Sequence, residues 1–296
     1  RGNRDRGDGD GGGPARGGAG PPDPRHATLN RDFQEKAQQI LGDRKGAIVA
    51  VDVESGAVRA LVSGPGFDPN VLVGPTAALE RSQVLADPRH PLFNRATQGT
   101  YPTGSVFKIV TMSAGMEEAG MDPLESTFHC PGYWDGLGRG ARKLCWKEDG
   151  HGDIVLQDGL SASCNVTFYE VGKTLHELDP EILPRFGTDF GLGAPTDLDG
   201  LVEEGGLMPG PEWKGSASGE PWYPGDTVNL AIGQGYLRVT PLQVARMMAA
   251  VANGGTLYRP FIVERIDGNQ ETAEEVTEAE AIGTLPIGAD HLAGLQ

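Results

Sequence analysis

Eight residues, Tyr101-Pro102-Thr103-Gly104-Ser105-Val106-Phe107-Lys108, constrain the chain more than any other stretch. Pro102 and Gly104 make a turn, and an apolar run from Val106 to Met112 continues into Ala114 and Met116. That pattern predicts a loop feeding a mostly buried helix, with Ser105 in its first turn. About one helical turn separates Ser105 from Lys108, so the two stack on one face. A hydroxyl is a poor nucleophile until a neighbour takes its proton, and a buried lysine can lose its charge and act as that base. The helix N-terminus adds N–H groups and a positive dipole end, both suited to a developing oxyanion. Taken alone, the spacing is also satisfied by a surface serine beside a snorkelling lysine.

With 296 residues, the chain can build one large domain or two modest ones. Its net charge of −16 argues against a nucleic-acid binder, which needs a basic face. No run of 18 apolar residues and no signal peptide is present. The chain opens on Arg1 and stops at Gln296 just after a helix-like piece, which reads as a fragment at both ends.

Residues 1–25 are Gly, Arg, Asp and Pro with almost no apolar side chain, and read as disordered linker or non-native leader. The domain then runs over 26–296. Phe33, Ala37, Ile40 and Leu41 recur at helical spacing behind an Asn30 cap. Two strands, Gly46–Asp52 and Ala57–Val62, flank Glu54-Ser55-Gly56 as a hairpin. Helix followed by hairpin predicts an α+β domain, an antiparallel sheet with flanking helices. Residues 120–160 form a long Gly-rich and charged excursion, which needs either a function or a staple. Leu160 to Leu175 is helical, and Thr227 to Ile232 is strand-like, running into Gly233-Gln234-Gly235. Thr240-Pro241 starts a helix over Leu242–Ala252, closed by Asn253-Gly254-Gly255. The acidic run Glu271–Glu280 reads as a solvated linker or hairpin face. Trp134, Trp146, Trp213 and Trp222 fall in loop regions, to rim a groove or to pack beneath the loops.

Ser163-Cys164-Asn165 forms a second polar element. Two side chains spaced by one residue share a side where backbone is extended, so Ser163 could relay a proton and Asn165 hold a substrate amide. An ordinary helix cap is the alternative.

These pieces, together with T-L-N-R-D-F-Q, G-A-I-V-A-V-D-V-E-S-G, F-D-P-N, N-R-A, C-W-K-E-D-G-H-G and A-I-G-Q-G-Y-L-R-V-T-P-L-Q, occur in one order from about residue 28 onward. The chain resembles the transpeptidase domain of class B penicillin-binding proteins, most like the elongation-specific penicillin-binding protein 2. The resemblance implies the penicillin-binding, β-lactamase-like fold, with Ser105 as the acylated nucleophile and Lys108 as its base. Ser163 and Asn165 would form the second motif, and Gly233, Gln234 and Gly235 a loop beside substrate; the simpler alternative for that loop is a tight turn.

Two departures stand out. Thr103 replaces a frequent second proline. The family's third motif, Lys-Thr/Ser-Gly on a strand, is absent: Lys173-Thr174 is followed by Leu175, and Lys214-Gly215-Ser216 has the wrong order. The expectation is a chain truncated before that motif, lacking the C-terminal strands, a carboxylate-binding cation and the second oxyanion N–H, and so incomplete for catalysis.

Cys130, Cys145, His151 and Cys164 use every cysteine in the chain, spaced C-x14-C-x5-H-x12-C. The odd count excludes a full disulfide framework. Four soft ligands suit a closed structural zinc site, fixing the Ser163–Asn165 element from behind. A Cys130–Cys145 disulfide with a buried Cys164 is the rival, and His129 a substitute ligand ranked below His151. Some members of the family the chain resembles hold metal here, with carboxylates at the first two positions.

The activity implied is peptidoglycan D,D-transpeptidation through a serine acyl-enzyme, with no catalytic cofactor. β-Lactams would acylate the same serine. The alternatives are a D,D-carboxypeptidase or β-lactamase-type hydrolase, and a non-catalytic penicillin sensor or scaffold. By the same resemblance the substrates are stem peptides, and the partners a membrane glycan polymerase and the elongation machinery. The protein would be anchored by a preceding helix at the periplasmic face of the inner membrane.

Overall fold

The computed structural model describes residues 25–73, 78–268 and 274–295. The leader expected over 1–25 lies outside them except for its last residue, and the acidic run is described only from Glu274. In chain order, β1 (Arg25–Ala27) leads to α1 (Arg31–Leu41), then β2 (Gly46–Val51) and β3 (Val58–Gly64). Next come α2 (Asn70–Val73) and α3 (Ala78–Ala86). A 3-10 turn at Gly104–Phe107 continues into α4 (Lys108–Ala119). Four short strands follow, β4 (Thr127–Cys130), β5 (Tyr133–Trp134), β6 (Lys143–Leu144) and β7 (Gly152–Val155). Helices α5 (Leu156–Ser161), α6 (Asn165–Leu178), α7 (Ile182–Asp189), α8 (Pro211–Ser218), α9 (Pro224–Leu230) and α10 (Pro241–Ala252) come next. The chain closes with β8 (Thr256–Tyr258), β9 (Val263–Ile266), β10 (Glu275–Val276), β11 (Ala281–Thr284) and α11 (Ala289–Ala293).

The α+β reading holds, and the named strand pairs are antiparallel. Asn30 caps α1 by accepting from the Phe33 N–H at 2.9 Å. In β3 the residues Val58, Ala60, Val62 and Gly64 are buried and their neighbours are not, the period of a strand with one covered face. Ala37 and Leu41 of α1 supply that cover, packing with Ala60 and Val62.

The main core gathers around α4. From Val110 to Met116 every residue of that helix is buried, and α6 packs alongside it. A helix apolar on all sides can only sit at the centre of a domain, so the turn that feeds it is fixed at one end of the core.

Two expectations give way. The segment Thr227–Ile232 is not a strand, because Thr227 to Leu230 complete α9. Its β-branched residues favour strand, but Pro224 sits in the first helical turn and Asp226 accepts from the Tyr223 N–H at 2.9 Å. The helix expected over Leu160–Leu175 is two helices, α5 and α6, broken at Ser163, whose φ of 50° no helix can contain. The excursion over 120–160 is two nested hairpins, β4 with β7 outside and β5 with β6 inside.

Gly233 has a packing reason to be glycine. Its carbonyl accepts from the Gly104 N–H at 2.9 Å, and an added Cβ would land on the Gly104 carbonyl oxygen and Thr103 Oγ1. Its φ of 68° adds a left-handed backbone. Gly233→Ala should therefore destabilise the chain by about 2–5 kcal/mol in denaturant titrations. Gly120→Ala is the control, since its φ is 61° but nothing lies within 4 Å of the added Cβ. Equal losses from the two substitutions would show that the Gly104 contact has no energetic weight.

Candidate active site

Ser105 lies in the 3-10 turn, exposed, one residue past the Gly104 that hydrogen bonds to Gly233. Phe107 of the same turn is buried, which roots the turn in the core. Lys108 begins α4 and is fully buried. Its ammonium donates to Ser163 O at 2.8 Å, Ser163 Oγ at 3.1 Å and Asn165 Oδ1 at 2.8 Å. An ammonium has three N–H donors, so each finds an acceptor. The Phe168 ring lies beneath, its centroid 5.4 Å from Nζ.

Ser163 Oγ in turn donates to Ser105 Oγ at 2.9 Å. The hydrogen-bonded path from Lys108 to Ser105 thus runs through Ser163, a two-step route that the one-turn spacing did not foretell. Burial lowers the Lys108 pKa to about 8, against the opposing pull of the Cys164 and Cys145 sulfurs. A neutral amine is therefore accessible near neutral pH.

Ser105, Ser163 and Asn165 line one cleft of about 420 Å³ with Trp146 and Gln234. Gly233 packs on the nucleophile turn, and Gly235, at a φ of 78°, turns the chain beyond Gln234. A larger cavity of about 730 Å³ between Leu85, Leu92, Phe93 and Tyr101 lies beside this segment, but no paired serine and lysine lines it.

Behind the cleft, Cys130, Cys145, His151 and Cys164 bring their ligand atoms within 4.8 Å of one another. The three cysteines are free and buried, with no Cys130–Cys145 disulfide. His151 Nδ1 lies 3.5 Å from Cys130 Sγ and 3.6 Å from Cys145 Sγ, while its Nε2 is buried without a partner. Burial raises the Cys164 pKa to about 11. Burial also pushes Cys145 up, but backbone N–H groups of Lys147, Asn165 and Val166 outweigh it and bring that thiol down. His129 points elsewhere, its Nδ1 2.7 Å from Asp153 Oδ1. Cys164, between Ser163 and Asn165, is buried and is not among the residues that line the cleft.

The remaining lysines of the rejected motifs are accounted for by helix contacts. Lys173 pairs with Glu177 one turn along α6, and Lys214 pairs with Asp226 at 2.7 Å. Among the tryptophans, Trp134 is buried, and Trp222 donates to Thr227 Oγ1 at 2.7 Å. Trp146 rims the cleft, and the residue pattern gave it no more weight than the others; its place next to Cys145 was the available signal.

The family described as penicillin binding protein transpeptidase domain matches residues 46–292. The peptidoglycan D,D-transpeptidase MrdA of Haemophilus influenzae is 34% identical over 243 residues, 82% of this chain but only 37% of that relative's length. The Pseudomonas aeruginosa PBP2 crystal structure in complex with WCK 5153 matches with a TM-score of 0.81 at 31% identity, covering 91% of this chain and 57% of that one. The Helicobacter pylori PBP2–MreC complex matches at 0.78 and 27% identity, over 92% and 48% of the two chains. A ceftriaxone acyl-enzyme of penicillin-binding protein A from Mycobacterium tuberculosis matches at 0.78 and 26%, over 92% and 60%. The chain belongs to the penicillin-binding protein transpeptidase domain family.

Proposed function

We propose that this chain carries the acylating centre of a peptidoglycan D,D-transpeptidase of the elongation type. The observation that carries it is the unbroken hydrogen-bonded path from the buried amine of Lys108, through Ser163, to the exposed hydroxyl of Ser105. With Lys108 neutral, Ser105 passes its proton to Ser163 Oγ as Ser163 passes its own to Nζ. The Ser105 oxygen then bonds to the carbonyl carbon between two terminal D-Ala residues of a stem peptide. The Ser105 N–H, at the start of a helical turn, faces the oxyanion that forms. The path returns a proton to the departing D-Ala amine as its C–N bond breaks, leaving an acyl-enzyme. An amine of a neighbouring stem resolves it by the same steps in reverse. Asn165 holds the donor amide, and Gln234 lines its bed. β-Lactams acylate the same serine, in keeping with the acyl-enzyme structure of a relative.

No catalytic metal or cofactor enters this reaction. Cys130, Cys145, His151 and Cys164 hold a structural zinc in our reading. In a tetrahedron with Zn–S of about 2.3 Å and Zn–N of about 2.0 Å, neighbouring sulfur and nitrogen sit about 3.5 Å apart. The two observed His151 Nδ1 to Sγ distances, 3.5 and 3.6 Å, fit that edge, and the N–H groups around Cys145 suit a thiolate. The metal would staple the β4–β7 excursion to the start of α6.

In this reading the enzyme works at the periplasmic face of the inner membrane; the described residues include no helix long and apolar enough to cross a membrane. An anchor, a glycan polymerase partner and contacts with the elongation machinery are properties proposed for the whole protein. The MreC complex of one relative supports the last, and a structurally similar peptidoglycan synthase complex that coordinates polymerization and crosslinking supports the polymerase.

Labelling of the full-length protein with a fluorescent penicillin should be lost in Ser105→Ala, and label that persists would refute the nucleophile. Metal analysis of purified protein should give about one zinc per chain. Absence of metal, with Cys130 and Cys145 oxidised together, would refute the zinc site.

A further inference from the structure

The hydroxyl at the middle of the proton path belongs to a residue in an unfavourable backbone state. Ser163 has a φ of 50°, one of only three non-glycine residues with positive φ among those described. Such a conformation persists only where its surroundings over-determine it. The local helix-end hydrogen bonds, Ser163 N–H to Leu160 O at 2.9 Å and Cys164 N–H to Gly159 O at 2.8 Å, hold the backbone on either side. They leave the direction of the Ser163 carbonyl to be set by other groups.

Two groups meet that carbonyl. The Lys108 ammonium donates to it at 2.8 Å, and the indole N–H of Trp146 donates to it at 3.1 Å. The same indole N–H is shared with the Ala162 carbonyl, also at 3.1 Å. A carbonyl oxygen has two lone pairs, so the amine and the indole fill both. The tryptophan ring is itself held, edge against the His151 imidazole with centroids 5.4 Å apart, and Cys145 beside it is buried. Yet Trp146 is 62% exposed and lines the cleft. A tryptophan so exposed contributes little to core packing, which makes its hydrogen bonds the reason for its orientation.

We propose that Trp146 is a positioning residue: its indole N–H clamps the strained Ala162–Ser163 turn and so keeps Ser163 Oγ between Lys108 and Ser105. The inference rests on the acyl-enzyme reading above, in which Ser163 relays the proton. It separates two jobs of one side chain. The ring face shapes the cleft and bears on ligand affinity, while the N–H bears on the rate of proton transfer.

Trp146→Phe keeps a ring and removes the N–H. In the full-length protein, the acylation rate constant for a fluorescent penicillin should fall by about tenfold, the cost of a lost hydrogen bond that orients a reacting group. The dissociation constant of the preceding non-covalent complex should stay within about twofold. An unchanged rate constant, or a loss confined to affinity, would overturn the positioning role. A crystal structure of Trp146→Phe decides the point without turnover. The Ser163 carbonyl should rotate, carrying Ser163 Oγ beyond hydrogen-bonding reach of Ser105 Oγ; a Ser163 that keeps its φ and both contacts overturns the proposal. If Ser105→Ala still reacts with penicillin, the nucleophile is wrong, and this second measurement continues to test the clamp.

Discussion

A buried ammonium with three acceptors holds this site together. Taking a lysine out of water costs several kcal/mol unless its donors are satisfied, and Lys108 satisfies them entirely from one short segment, Ser163 to Asn165. The arrangement ties the first residue of the central helix to the first residue of its neighbour α6. It also lowers the affinity of the amine for its proton, because nothing near it is a carboxylate: the contacts are a carbonyl, a hydroxyl and an amide. The same burial that makes the contact obligatory therefore makes the amine a base.

The excursion between α4 and α5 gains its purpose from that contact. Its nested hairpins bring Cys130, Cys145 and His151 against Cys164, immediately behind the serine and the amide that hold Lys108. The excursion buries Cys130, Trp134 and Cys145 in the main core, where the three thiols and His151 come together. On the opposite side, Gly233 presses its carbonyl onto Gly104 and locks the turn that presents Ser105. The nucleophile and its relay are thus braced from two directions by segments far apart in sequence.

Much of this was legible in the residues. The Asn30 cap, the β2–β3 hairpin and the Thr240-Pro241 helix start each rest on local chemistry that tertiary context had no cause to override, and the Ser105–Lys108 spacing led directly to the site. The convergence of Cys130, Cys145, His151 and Cys164 rests in the sequence on ligand type, the odd cysteine count and the resemblance to a family some of whose members hold metal there. Other features were hidden. Thr227 and Val228 favour strand by side-chain shape, and only Pro224 with Asp226 marks the helix they join. The break at Ser163 is written by no glycine or proline, because the bend is enforced by Lys108 and Trp146 from outside the segment. The polar Ser163–Asn165 element suggests a proton relay, but the Ser105–Lys108 spacing does not say that Ser163 stands between them, since a helical turn brings two side chains to one face without saying whether a third will come between.

The central claim is that the Lys108 amine, once neutral, drives acylation through Ser163. The rate of penicillin acylation measured against pH tests it most directly. With burial holding the Lys108 pKa to about 8, the account predicts a rate that climbs as pH rises through that value and then levels off, because only the unprotonated amine can accept. A profile that is flat across that range, or that falls as the amine loses its proton, would contradict it.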